Sequence, residues 1–580
     1  MISNVIANPQ EESVWNLHQI LFIWYWDEIQ NHATSNLMKL LNLLTFISLI
    51  TNVLGAIQIQ SAPAIEISGN KFFNSLDHSQ FFVRGIAYQR PRPLVSELGF
   101  VDSLALPSHC LKDLFLLNEL GVNTVRVYQI DPAADHDLCM DAFAANGIYV
   151  FVDLSEPKMS INRENPSWDT DLYERYTSVI DTMHRYSNVI GFIAGNEVVN
   201  SVETSNAAPF VKASIRDMKR YIIQKKYRSI PIGYASSDES TTRLASASYF
   251  VCAEHDDKDD RADFYALNMF EWCGYSTYDA SGYRDRTAEF SMMPVPVFFS
   301  EYGCNVISPR PFTEIEQIYG PAMCQVWSGG IVYELFQGSN HFGLVEENAN
   351  GRITKTNEFN TVRLRLTENK PQRDKKGAVA GSLFQTPCPP VTTSWRALPA
   401  LPPTPDEAMC ECLQATLSCI LTPYRKVHEL SFLSELCALT DCSEILANGT
   451  SAQYGAFSSC GLRQKISFAL NRYWLESNRD PEVCDFGKRA VLISNAEIGD
   501  LANLQAADSR SCAETLIDML KLQAFTPEER LHLLSDKLKD GMIRFNAYGV
   551  KSTGCNAHSW DHVWQLLFII SLISLYYLAI

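Results

Sequence analysis

Residues 189–197 read VIGFIAGNE, and this stretch decides the fold. Seven apolar or small positions in a row stop abruptly at Asn196 and Glu197. A strand with one wet face alternates apolar and polar residues. A continuous apolar run bounded by polar residues is a strand buried on both faces, as in a parallel sheet covered by helices. Residues 295–303, VPVFFSEYG, repeat the pattern and carry Glu301 near their end. Six further runs share the character: FVRGIAY (82–88), TVRVYQI (124–130), YVFVDLS (149–155), IPIGYAS (230–236), FYALNMF (264–270) and GGIVYELF (329–336). Helical patterns lie between them, such as LKDLFLLNEL (111–120), closed by the C-capping residue Gly121. Eight strands alternating with helices over roughly 250 residues predict an α/β chain of the (β/α)8 TIM-barrel class. A doubly wound sheet is the alternative, disfavoured because no glycine-rich phosphate loop follows the first strand.

Active sites of such barrels lie at the C-terminal ends of the strands. The fourth run ends in Gly195-Asn196-Glu197 and the seventh in Ser300-Glu301-Tyr302-Gly303. Retaining cleavage of a glycosidic bond needs two carboxyls about 5 Å apart, one as acid/base and one as nucleophile. Strands four and seven can aim their ends at one mouth from opposite sides. Glu197 then protonates the leaving oxygen, Asn196 binds the sugar 2-hydroxyl, and Glu301 stays ionised to attack, helped by a hydroxyl such as that of Tyr333. Tyr88, Tyr128, Trp272 and Tyr333 fall at strand ends and offer flat faces for sugar rings. Gln89 and Asp153 offer groups for hydroxyls.

The chain has 580 residues and a formal net charge of -18, with no basic stripe for a nucleic-acid backbone. Its 16 cysteines lack zinc-finger spacing and crowd together from Cys410 to Cys512. They read as a disulfide framework in an oxidising compartment. Residues 38–56 have the pattern of a signal peptide, which makes residues 1–37 a gene-model extension; an uncleaved signal anchor is the alternative. Small residues before a terminal apolar run at 557–580 match a GPI-attachment tail, with a plain tail anchor as the alternative. Between these ends lie a catalytic domain at 60–388, a Pro-rich linker at 389–409 and a cysteine-rich module at 410–515. A charged, helix-patterned segment follows at 516–556. Asn448-Gly449-Thr450 is a glycosylation sequon.

FFVRGIAYQ, GVNTVRVYQIDP, FVDLSEP, GFIAGNEVVN and FFSEYGCN resemble the fungal β-1,3-glucanosyltransferases of glycoside hydrolase family 72. LCALTDCSEILANGTSAQYGAFSSC, QKISFALNRYW and CDFG resemble the X8-type family 43 carbohydrate-binding module. The resemblance implies Glu197 as acid/base and Glu301 as nucleophile. It implies donor-side sugar contacts at Tyr128, Asn196 and Tyr333, with the loop from Ser155 to Arg163 that includes Asn162. It implies acceptor-side contacts at Asp238 and Arg243. It pairs Cys110 with Cys139, Cys252 with Cys388, and Cys273 with Cys304. It puts Cys410, Cys412, Cys419, Cys437, Cys442, Cys460, Cys484 and Cys512 into four bridges, with Cys324 and Cys555 left over. The implied activity is internal cleavage of β-1,3-glucan and transfer of the fragment to the non-reducing end of another chain. The implied setting is a monomer, GPI-anchored on the outer face of the plasma membrane and in the cell wall, with glucan chains as partners and neither metal nor organic cofactor. A plain endo-β-1,3-glucanase and a non-catalytic wall-glucan-binding protein are the alternatives. One departure stands at the site: Phe270 occupies a position where the resemblance implies a tyrosine bonded to the nucleophile.

Overall fold

The computed structural model of the chain describes residues 62–91, 99–253, 258–348, 350–376, 386–422 and 429–493. The signal, charged-segment and anchor readings, Cys512 and Cys555 lie outside the described residues.

Eight parallel strands close into a barrel: β1 (Val83–Ala87), β2 (Thr124–Val127), β3 (Tyr149–Asp153), β4 (Val189–Asn196), β5 (Ile232–Ser237), β6 (Tyr265–Met269), β7 (Val297–Tyr302) and β8 (Trp327–Val332). Each pairs with its sequence neighbours, and β8 pairs with β1 to close the ring. Every residue of β2, β3, β6, β7 and β8 is buried, which is why these runs lack alternation. The helix after β1 spans Pro107–Leu120 and ends where Gly121, at φ 71°, turns its N–H onto the Asn118 and Leu117 carbonyls. That left-handed conformation is cheap only for glycine.

The barrel's lower interior is filled by aromatic rings. Phe151 stacks on Phe298 at 4.9 Å between centroids, and Phe264 sits 5.4 Å from Phe151. Gly233 makes room for this layer: a Cβ there would lie 2.4 Å from the Phe264 ring. Phe72 closes the layer from below, fully buried and 6.1 Å from Phe298. It belongs to a small antiparallel sheet, Ile65–Ser68, Lys71–Asn74 and Gln80–Phe81, which the sequence reading passed over.

The disulfides Cys110–Cys139, Cys252–Cys388 and Cys273–Cys304 are all present on the barrel. In the module, Cys410–Cys460, Cys419–Cys484 and Cys437–Cys442 are joined, and Cys412 is also bonded. Among the described cysteines Cys324 is free and buried.

The Pro-rich stretch, read as a linker, is packed against the barrel. Trp395 is wholly buried, 5.3 Å from the ring of Tyr249. The Tyr249 hydroxyl donates to the Leu398 carbonyl, Arg396 N–H donates to Ser205 Oγ, and the Thr404 hydroxyl donates to Asp217. The module in turn touches the barrel directly: Thr170 N–H donates to the Ser459 carbonyl, and the buried Lys465 ammonium donates to Ser167 Oγ. Through residue 410, and again from 417 to 492, barrel, strap and module belong to one compact unit.

Candidate active site

Arg126 is the hub of the barrel mouth. It lies on β2 with no exposed surface. A buried guanidinium survives only if its donors are met by charge. Asp153, the last residue of β3, supplies that charge, accepting from Nε at 3.0 Å and from Nη2 at 2.8 Å. The remaining reach of Arg126 is turned toward the chemistry: Nη2 donates to Asn196 Oδ1 at 3.0 Å and Nη1 to Glu301 Oε1 at 3.1 Å.

Glu301, on β7 and 8% exposed, takes a second donor on the same oxygen, the Tyr128 hydroxyl at 3.0 Å. Its Oε2 has no protein donor among the described residues. One oxygen is thus anchored and the other is left with its lone pairs to react. Burial above all pushes this carboxyl up, to about 7. The Arg126 charge and the Tyr128 hydroxyl pull it down, and the Glu197 charge adds to the upward push.

Glu197 follows β4 directly at φ 49°, a left-handed conformation uncommon for a residue with a side chain. Its N–H donates to the Ala235 carbonyl on β5 at 2.9 Å, which holds the turn in place. Asn268 of β6 donates from Nδ2 to Glu197 Oε1 at 2.8 Å and to Asn196 Oδ1 at 3.2 Å. The Ser300 hydroxyl donates to Asn268 Oδ1 at 2.7 Å and so fixes which way that amide points. With Oδ1 of Asn196 taken twice, its Nδ2 is the end left for a ligand. Asn196 also lines a cavity of about 350 Å³ with Ser155, Asn162 and Arg163, so that the loop expected at the mouth does reach it.

Two carboxyls, therefore, share one mouth but differ in surroundings. Glu301 has a buried cation and a phenol on its anchored oxygen, whereas Glu197 has a neutral amide.

Several expected contacts are redistributed. Tyr128, not Tyr333, gives Glu301 its hydroxyl; Tyr333 instead lies with Gln89 and Asn340 along a second cavity of about 370 Å³. Asp153 spends both oxygens on Arg126, so it positions the site and is not itself open to sugar. Tyr88 is buried with its hydroxyl on Asp113, and Trp272 is buried with its indole N–H on Thr313; neither offers a face to a ligand. Asp238, just after β5, is gripped by Arg243 at 3.0 Å and Arg286 at 2.8 Å, while Arg243 also pairs with Glu289. The structure brings Asp238 and Arg243 together, but as parts of one ion cluster. Phe270 stands edge-on to Tyr333 and Phe342, at 6.1 and 5.6 Å, in an aromatic wall beside the nucleophile. Asn448 is exposed, and its Oδ1 accepts from Thr450 N–H at 2.8 Å.

Arg126, Asn268 and Ser300 are the residues the sequence reading missed. Arg126 had a signal: an arginine between two valines in an otherwise buried strand demands a buried anion. Among the described residues no group of three or more metal-ligating side chains comes together.

Comparison with known proteins gives the same architecture. Residues 55–369 match the glucanosyltransferase family of glycoside hydrolase 72, and residues 417–491 match the X8 domain. The chain is 46% identical over 485 residues to 1,3-beta-glucanosyltransferase PGA5 of Candida albicans, covering 78% of this chain and 75% of that one. It is 43% identical over 483 residues to 1,3-beta-glucanosyltransferase GAS2 of Saccharomyces cerevisiae, covering 80% and 85%. The solved structure of Saccharomyces cerevisiae Gas2p in complex with laminaripentaose superposes with a TM-score of 0.71 at 45% identity, covering 75% of this chain and 98% of that one. The chain belongs to the glucanosyltransferase family of glycoside hydrolase 72 and carries an X8 domain after its barrel.

Proposed function

We propose that this protein is a 1,3-beta-glucanosyltransferase that cuts β-1,3-glucan within the chain and joins the new reducing end to the non-reducing end of a second chain. The observation that carries this is the asymmetric pair: Glu301 anchored through one oxygen by Arg126 and Tyr128, and Glu197 held by the Asn268 amide.

In the first step protonated Glu197 delivers its proton to the glycosidic oxygen as that bond breaks, and Glu301 Oε2 forms a bond to the anomeric carbon. Asn196 Nδ2 donates to the sugar 2-hydroxyl, a bond that strengthens as positive charge develops on the ring. In the second step Glu197, now a carboxylate, takes the proton of an incoming sugar hydroxyl. The oxygen of that hydroxyl displaces Glu301. An acceptor sugar seated in the mouth excludes the water that would otherwise complete hydrolysis. Family membership and the laminaripentaose held by the Gas2p relative support β-1,3-glucan as the substrate. The signal and anchor patterns read in the sequence support the outer face of a fungal plasma membrane and its wall as the place of action.

The test is incubation with a reduced β-1,3-oligosaccharide and chromatography of the products. Products longer than the substrate are expected, and they are absent from Glu197→Gln and Glu301→Gln. Only shorter products would make the protein a hydrolase, and no products at all a wall-binding protein.

A further inference from the structure

Two loops at the mouth expose an apolar surface that the chemistry above does not use. One follows β6 and carries Tyr275, 85% exposed; the other follows β7 and carries Val306 and Ile307, 78% and 49% exposed. Single exposed apolar side chains are ordinary on protein surfaces. These three are not scattered. The Cys273–Cys304 disulfide ties the two loops together. At Gly274, with φ 69°, the backbone comes so near that a Cβ would lie 3.1 Å from the Ile307 side chain. Both loops are also pinned from behind. The Thr313 hydroxyl accepts from Trp272 and donates to the Gly274 carbonyl, and Asn305 donates to the Asn340 carbonyl on the loop after β8. A tyrosine held out on so fixed a support loses little freedom on binding.

The same loop joins this surface to the site along the chain. Starting at Glu301, the aromatic wall runs through Tyr128, Tyr333, Phe270 and Phe342, with neighbouring centroids 5.2 to 6.3 Å apart. Phe270 lies three residues before Cys273, and Tyr275 two residues after it. One short loop therefore carries both a member of the wall and the exposed Tyr275. A neutral polymer whose rings present C–H faces is the ligand that gains from such a path, and it is the polymer the site already takes.

We propose that Tyr275, with Val306 and Ile307 beside it, forms a remote subsite for the β-1,3-glucan chain, stacking a sugar ring several units from the bond that is cut. The assignment rests on the glucanosyltransferase reading. It sets the chain length at which the enzyme works best: a longer chain reaches the patch and gains its contact, whereas a short one stops within the mouth.

The experiment compares kcat/KM for reduced β-1,3-oligosaccharides of increasing length in the wild type, Tyr275→Ala and Tyr275→Trp. Leu76→Ala, which removes another side chain that is 72% exposed, is the control. In Tyr275→Ala the efficiency on long chains falls roughly three- to tenfold, the scale of one aromatic contact, and the deficit shrinks as the chain shortens. Tyr275→Trp, which keeps a ring face, retains the dependence on length, as does Leu76→Ala. Parallel length profiles for Tyr275→Ala and wild type would overturn the subsite. A wild type that makes nothing longer than its substrate would instead overturn the glucanosyltransferase reading, so the two failures are told apart.

Discussion

Arg126 Nη1 lies 3.1 Å from Glu301 Oε1, and the guanidinium that makes this contact has no surface exposed to water. The same group reaches Asp153 and Asn196, so the nucleophile, its neighbour on β4 and the end of β3 are spaced by one rigid fork. Lysine cannot copy it, since its single ammonium is a point charge. Arg126→Lys should lower kcat by about a hundredfold, the scale of losing a fixed electrostatic donor, with KM little changed. Steady-state product formation checks this, and circular dichroism checks that the barrel is intact.

Tyr128→Phe removes the second donor from Glu301 Oε1 without disturbing the ring. A hydrogen bond to the ionised form lowers a carboxyl's pKa, so its loss raises that of Glu301 further. The acid limb of the kcat/KM profile should move to higher pH, with a loss of about tenfold below that limb. A limb left in place would mean that Arg126 alone keeps Glu301 charged.

Glu197→Gln takes away the negative charge beside the nucleophile. One of the three upward pushes on Glu301 disappears, leaving burial and the Asp153 charge, and its pKa falls from about 7. Transfer from glucan should vanish for want of a proton donor. A β-1,3-oligosaccharyl fluoride, whose leaving group needs no proton, should still load Glu301. The pH dependence of that loading, followed by mass spectrometry, should show its limb below the wild-type position.

Glu301 also links stability to pH. Its folded pKa, about 7, lies above the ordinary carboxyl value of 4.5, so the folded protein holds this proton more tightly than the unfolded chain does. Stability from this group is fully present below about 4.5 and is lost as pH rises through 7. Glu301→Gln has no such loss. Between pH 4.5 and 8 the variant should gain roughly 3 kcal/mol relative to wild type, read from denaturant unfolding at several pH values.

Trp395→Ala empties a fully buried site between the strap and Tyr249. The expected cost is roughly 3–5 kcal/mol. Thermal unfolding should move down in one cooperative step that includes both barrel and module; an early, separate melting of the module would show that the strap does not couple them.

The fold was readable because parallel strands buried on both faces leave continuous apolar runs, and all eight runs became strands of the barrel. That Glu197 and Glu301 would come to one mouth was readable because each closes such a run, and parallel barrel strands end on the same side. What escaped was pairwise. Asp153 looked like a hydroxyl binder because nothing in YVFVDLS shows that Arg126 claims both of its oxygens. Tyr333 and Tyr128 are equivalent as letters, and only the closed barrel decides which hydroxyl meets Glu301. Asn268 and Ser300 matter through the direction of one amide, which no linear pattern records. The packing of the strap was not readable because proline-rich composition describes a backbone's stiffness and says nothing about what lies beneath Trp395.

That strap changes where this protein can be cut. A flexible tether between a barrel and a binding module is a natural seam for truncation or exchange. Here the stretch is bolted at its start by Cys252–Cys388, plugged at Trp395 and handed on to the module through the bond from Leu398 N–H to the Gly449 carbonyl. A barrel ended before residue 388 would expose the Tyr249 face and leave Cys252 without its partner. A module grafted elsewhere would lose the wall it leans on. The working unit of exchange is the barrel, strap and module together.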